Sequence, residues 1–320
     1  MNTILFGNGF NMLSPNCPSW DILLSRLSDT TKSHIIKDVP PTLQYEQVYI
    51  NPKRHSYSIT EDDEEKKLKE AVKRNLKKIE YNQFYEELGS LDINTFLTTN
   101  YDNTFYNNNL SAVVNQNNSE QLYSIRRWKR VRINGHEKTL FHIHGDISFI
   151  RSIMLGIDHY GGSLAKIQDY VKNNYKRKTL NTTYDAVPSI SRRIDNPQIL
   201  KDSVCYGFTD NGSGLLSWID AFFFSNLHII GLAIDFSEID IWWLLSRRAR
   251  LMKNSKLNNK IYYYPTFPLS EIHIHLPKLR LLEQLKVKII HHKQLTDIIS
   301  GQNDYGSIYS EQLENLRKNL

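Results

Sequence analysis

Three short motifs carry side chains able to do chemistry, and each stands where an apolar run ends. Gly7-Asn8-Gly9-Phe10-Asn11 follows Thr3–Phe6, Thr99-Asn100-Tyr101-Asp102 follows Phe96–Thr98, and His142-Ile143-His144-Gly145-Asp146 follows Leu140-Phe141. The glycine pair allows a tight strand-to-helix turn whose backbone N–H groups can face a phosphate. Met12 stands where a third glycine would complete the dinucleotide fingerprint. Asn100 is a neutral amide that can orient a water or a ribose hydroxyl without adding charge. Asp102 can accept from a carboxamide or stabilise a developing cation, although Asx hydrogen bonds within a turn would use the same residues. His144, at a strand end, has the ordinary pKa range of a general base, and Gly145 after it would leave room for a substrate. His142 and His144 share one strand face, but no third metal ligand accompanies them, and the deeper His142 reads as structural.

These motifs need a frame that brings strand ends together. The short apolar runs Thr3–Phe6, Asn94–Thr98, Leu140–Ile143, Leu227–Gly231, Ile261–Tyr264 and Val287–His291 alternate with helical stretches. That alternation predicts an α/β fold: a Rossmann-like, mostly parallel six-stranded sheet with helices on both faces. Ligands of such sheets bind outside the carboxyl ends of the strands. A single domain over 1–320 is expected, with helical insertions at about 28–90 and 150–205 and a C-terminal α/β extension at about 255–320.

In the first insertion, Thr60 is a candidate cap, Asp62–Glu65 suit the positive helix end, and Leu68, Val72, Leu76 and Ile79 recur at helical spacing. Its acidic-to-basic run reads as a solvated face. Leu164, Ile167 and Val171 mark a helix in the second insertion, and Ser237 is a candidate cap for a helix carrying Ile239 and Trp242–Leu245. Asn134-Gly135 between Val131 and His136 predicts a type I′ hairpin feeding the strand that ends at His144.

Composition excludes several classes. Two cysteines, Cys17 and Cys205, support neither a disulfide framework nor a four-thiolate zinc site, and no metal is expected. No apolar run approaches the roughly 18–20 residues of a membrane span, and no signal-like segment opens the chain, so a cytoplasmic protein without a membrane partner is expected. The net charge of +6 allows some preference for polyanions without specifying one. Arg126–Arg132 interleaves basic and aromatic residues, which suits either a nucleic-acid contact or a charged hairpin edge. His273, His275, His291 and His292 are a weaker candidate metal cluster.

In their order the motifs resemble the sirtuin-like family, and its bacterial defence branch more than the protein deacetylases. Gly7-Asn8-Gly9 stands where that family has Gly-Ala-Gly, and Cys17-Pro18-Ser19-Trp20 where the defence branch has a small-Pro-Ser-Trp element. Thr99-Asn100-Tyr101-Asp102 resembles the catalytic asparagine motif, His144-Gly145 the base motif, and Ile230-Gly231-Leu232-Ala233 the late strand that contacts adenosine. The resemblance spans roughly residues 4 to 245. Asn8 and Ala233 depart from the pattern, and the four-cysteine zinc module of deacetylases is missing.

The resemblance implies NAD+ as the substrate and its hydrolysis to nicotinamide and ADP-ribose. It implies catalytic roles for Asn100, His144 and Asp102, and cofactor contacts from Gly7, Asn8, Gly9, Phe10, Asn11, Thr99 and Gly231. It also implies an abortive anti-phage role, restrained by homo-oligomer assembly or by a regulatory partner such as an ATPase or a phage protein. A non-catalytic sensor of NAD or ADP-ribose, and an NAD-dependent deacylase or ADP-ribosyltransferase, are the alternatives.

Overall fold

The computed structural model describes residues 1–36, 38–50, 61–108, 111–117, 122–172, 174–178, 184–196, 199, 213–293 and 305–320. Thr3-Ile4-Leu5-Phe6 is apolar on both faces because both faces are covered. Ile4 and Phe6 enter one core with Phe96, Leu140 and Ile230, while Leu5 enters the other with Leu97, Phe141 and Ile229. This is the pattern of a central parallel strand, β1 (Asn2–Phe6). The other strands of the main sheet are β2 (Thr95–Thr98), β3 (Ala112–Asn117), β4 (Trp128–Ile133), β5 (His136–His142), β8 (Asn226–Ile230), β9 (Ile261–Tyr264) and β10 (Val287–Ile289). A separate ribbon pairs β6 (Lys176–Lys178) with β7 (Tyr184–Ala186).

The main sheet has eight strands in the order β10-β9-β8-β1-β2-β5-β4-β3, not six. The six expected strands are its parallel part, and β4 and β3 extend it antiparallel beyond β5. The β4–β5 hairpin turns through Asn134 (φ 49°) and Gly135 (φ 82°), as a type I′ turn requires. β3 escapes a sequence reading because Ala-Val-Val-Asn-Gln-Asn is short, half polar and flanked by asparagines.

The basic stretch before this hairpin does not form one charged face. Arg127, just before β4, and Lys129 within it are buried, at 1% and 2% exposed, and Arg132 pairs with Glu137 at 2.9 Å.

Between β1 and β2 run α1 (Trp20–Thr31), α2 (Pro41–Tyr49), α3 (Glu61–Leu76) and α4 (Gln83–Gly89). Leu68, Val72, Leu76 and Ile79 close a third core against Leu23, Leu24 and Leu27 of α1. The proposed cap Thr60 lies outside the described residues, as does Cys205. After β5 come α5 (Ile157–Lys172), with Ile167 and Val171 buried, α6 (Ile190–Asp195) and the single turn α7 (Ala221–Phe224).

After β8 comes α8 (Ile239–Leu251), with Glu238 rather than Ser237 at its N-cap, because the Asp235 carboxylate holds the Ser237 N–H at 2.8 Å. α9 (Ile272–Gln284) joins β9 to β10, and α10 (Tyr305–Asn319) returns to pack Tyr309, Leu313 and Leu316 beside Phe10 and Phe84. Among the described residues no three His, Cys, Asp or Glu side chains group as a metal would need. His275 instead lies over the Phe267 ring at 4.1 Å. No helix among the described residues is long and apolar enough to cross a membrane.

Candidate active site

The loops after β1, β2, β5 and β8 surround a cavity of about 600 Å³, within the range of small-molecule sites. Its walls include Asn8, Gly9, Thr99, Asn100, Asp102, His144 and Gly231. Gly7, Phe10 and Asn11, expected beside them, are buried beneath the cavity floor and do not line it.

The reason lies in how two glycine turns meet. Gly9 N–H donates to the Gly231 carbonyl at 2.9 Å, and a Cβ on Gly9 would collide with the Tyr309 hydroxyl. Gly231 adopts φ +63°, and a Cβ there would lie 2.6 Å from the Phe10 ring. These glycines therefore permit backbone to meet backbone and ring, and the Gly9 N–H is occupied rather than offered to a phosphate. Phe10 stacks on Tyr85 at 5.5 Å and meets Tyr309 edge-on at 5.0 Å, anchoring the turn in the core.

Asn100 is 7% exposed and its amide orientation follows from its partners. Nδ2 donates to the Gly7 carbonyl at 3.3 Å and to the Tyr85 hydroxyl at 3.2 Å. A carbonyl can only accept, so the NH2 group must point there, and the acceptor Oδ1 is left for the cavity. Tyr85 passes its own proton to Asn11 Oδ1 at 2.6 Å, and Asn11 Nδ2 donates to Asp102 Oδ2 at 2.7 Å. One buried chain of hydrogen bonds thus positions both Asn100 and Asp102. Asp102 Oδ1 takes the Thr104 N–H at 2.9 Å. Asn11 is a positioning residue for the site.

His142 holds the same loop from behind: its Nδ1 meets the Asn100 carbonyl at 3.1 Å, which assigns the proton to Nδ1. Burial pulls its pKa down to about 4 despite Asp146, so the ring is neutral at ordinary pH.

His144 is 2% exposed, with Nε2 at 2.9 Å from Asp240 Oδ2 and Nδ1 at 3.4 Å from the Tyr160 hydroxyl. Burial alone would lower its pKa, but the Asp240 charge and hydrogen bond, with Glu238, outweigh that and raise it. Asp240 lies in the first turn of α8 and is fully buried. Asp240 is not among the expected site residues; the available signal was an acid in the helix turn after the Gly231 strand. Tyr160 comes from α5, whose start is fixed by His159: Nδ1 accepts the Leu155 and Gly156 N–H groups, each at 3.0 Å, and Nε2 meets Glu65 of α3.

Gly145 does not clear space for a substrate. At φ +120° its missing Cβ makes way for the returning 152–153 backbone, with the Ile153 Cα only 2.6 Å from that position.

Glu238 also lines the cavity; burial pushes its carboxyl up to about 7, with Asp240 and Asp235 adding to the rise against the pull of His144. Beyond it the cavity continues to Phe267, His275, Lys278 and Tyr305, and Lys278 Nζ donates to the Ala233 carbonyl at 2.7 Å. An apolar side is built by Pro18, Trp20, Leu23 and Leu76, with Trp20 meeting Tyr101 edge-on at 6.2 Å. Ser19 starts α1 by accepting the Ile22 N–H at 3.3 Å, which sets Trp20 in place.

The site therefore offers an oriented amide acceptor, a carboxylate-backed imidazole and a second carboxylate around one cavity. No family model matches the sequence, and no curated protein matches it.

Proposed function

We propose that this protein is an NAD+ glycohydrolase that cleaves NAD+ to nicotinamide and ADP-ribose. The observation that carries the reading is the convergence on one cavity of Asn100 Oδ1, the His144–Asp240 pair and Asp102. Cleavage of the nicotinamide–ribose bond builds positive charge on the ribose ring, as in glycoside hydrolysis. The C1′–N bond breaks with its electron pair leaving on nicotinamide, while a water forms the new C1′–O bond. Asn100 Oδ1 orients that water, or a ribose hydroxyl, by accepting its hydrogen. His144 Nδ1 takes the proton released by the water, and Asp240 stabilises the imidazolium that results. Asp102 holds the nicotinamide carboxamide and offsets the developing cation. Asn8, Gly9, Thr99 and Gly231 border the rest of the dinucleotide.

Base assistance is worth on the order of 10²–10⁴-fold in rate. The motif order further supports a place among sirtuin-like defence proteins, in which NAD+ depletion aborts phage infection. Because unrestrained hydrolysis would be lethal, activity is held in check by homo-oligomer assembly or by a regulatory partner, an ATPase or a phage protein.

The test is nicotinamide release from NAD+ by the purified protein, beside His144→Ala and Asn100→Ala, over a range of protein concentrations. Turnover that both substitutions reduce at least about a hundredfold is expected. Near-normal release by His144→Ala removes the assigned base. NAD+ binding without turnover favours a sensor, release only with an acceptor present favours a deacylase or ADP-ribosyltransferase, and no binding at all removes NAD+ from the reading.

A further inference from the structure

A second cavity, of about 340 Å³, adjoins the first. Leu76 lines both, and the chain passes from Asp102 in the wall of the first to Asn103 and Thr104 in the wall of the second. Its chemistry differs from that of its neighbour. Lys73, in the last turn of α3, and Lys77, just after it and one turn on, line it, and no acidic side chain does. Neither lysine has an ion-pair partner among the described residues. Like charges four residues apart on a helix repel, and no ion pair among the described residues relieves them.

The neutral wall is built to donate. The buried Lys129 ammonium, paired with Asp146 at 2.6 Å, also reaches Asn103 Oδ1 at 3.2 Å and Ser148 Oγ at 3.0 Å from beneath. The acceptor oxygen of Asn103 is thereby taken, which leaves its NH2 group to face Ser148 and the cavity. Ser148 Oγ already accepts from Lys129, so its own hydrogen is free to donate. Thr104 and Asn107 add a hydroxyl and an amide.

We propose that this cavity binds the phosphate group of a small phosphorylated metabolite, with Lys73, Lys77, Asn103 and Ser148 as its ligands. Its volume exceeds what bare phosphate fills and suits a sugar phosphate. Occupancy acts on the first cavity through two short links: Thr104 N–H to Asp102 Oδ1 at 2.9 Å, and Ile147 N–H to the Tyr101 carbonyl at 2.8 Å. The site is thus placed to bias the Asp102 loop, with coupling of the size usual between linked sites.

The test uses the full chain and reads binding, so its outcome is independent of whether NAD+ is the substrate. Ribose 5-phosphate, inorganic phosphate and ribose are titrated calorimetrically into the wild type and into Lys73→Glu/Lys77→Glu, with Ser148→Ala as a neutral companion. Both lysines reach solvent and hold no side-chain partner among the described residues, so the charge reversal leaves the fold intact. Ribose 5-phosphate is expected to bind best, inorganic phosphate more weakly and ribose not at all. The double variant weakens phosphate binding at least about tenfold. Amide exchange over residues 101–104 slows on ribose 5-phosphate addition in the wild type only. Absence of phosphate binding at millimolar concentration, or an affinity that charge reversal leaves unchanged, overturns the proposal.

Discussion

His144 Nε2 and Asp240 Oδ2 meet at 2.9 Å although 96 residues separate them, one in the loop just after β5 and the other in the first turn of α8. Both side chains are buried, so the charge of Asp240 is poorly screened and outweighs the desolvation that would otherwise strip the imidazole of its proton. A base must be unprotonated to act. The rise of kcat/KM with pH is therefore centred above the ordinary histidine range of about 6.5.

Asp240→Asn removes the charge that holds the His144 pKa up, and burial then lowers it. The acid limb of kcat/KM moves to lower pH, while kcat falls by about a hundredfold or more because the imidazolium is no longer stabilised. The pair also contributes to folding. The folded pKa of His144 is raised, so that contribution is complete below about pH 6.5 and is lost as pH rises through the raised value. Urea denaturation should find Asp240→Asn more destabilising at about pH 6 than at about pH 9. A pH–rate profile identical to wild type would mean that Asp240 does not act through His144.

Tyr85→Phe keeps the ring that stacks on Phe10 and deletes the hydroxyl joining Asn100 Nδ2 to Asn11 Oδ1. The orphaned Asn11 acceptor and the shared donor cost about 1–3 kcal/mol in denaturant titrations. Asn100 and Asp102 lose their common support, so kcat falls further than KM changes. Wild-type kinetics in a measurably less stable variant would confine Tyr85 to the core.

Glu238→Gln tests the raised carboxyl. With its folded pKa at about 7, the wild type loses stability as pH rises from the unfolded carboxylate value of about 4.3, and the penalty is complete above 7. The glutamine variant carries no such penalty. It is therefore more stable than wild type at pH 8 and equal to it near pH 4, as thermal unfolding at both values would reveal. Equal stability at both values would mean that Glu238 ionises normally.

The strands of the parallel sheet were legible because burial on both faces leaves continuous apolar runs, and the polar motifs stand where those runs stop. Asn134-Gly135 announced its hairpin because few other pairs accept positive φ twice in succession. The edge strand β3 was not legible, since one-sided pairing over six half-polar residues leaves no periodic trace. The burial of Lys129 was hidden as well, because composition does not tell which basic side chain meets a buried Asp146.

By itself the sequence determined the chemistry on offer: an asparagine, an aspartate and a histidine at three strand ends, and glycines at two turns. Residue type and strand termination are local properties, written in a few consecutive positions. The tertiary structure alone decided which groups those residues meet. It set Asp240 behind His144, Tyr85 and Asn11 between Asn100 and Asp102, and Tyr309 of the last helix over the Gly9 turn. It also gave the glycines to close packing rather than to an anion. Such partners come from elements tens to hundreds of residues apart, and only the packing of a buried interior selects them.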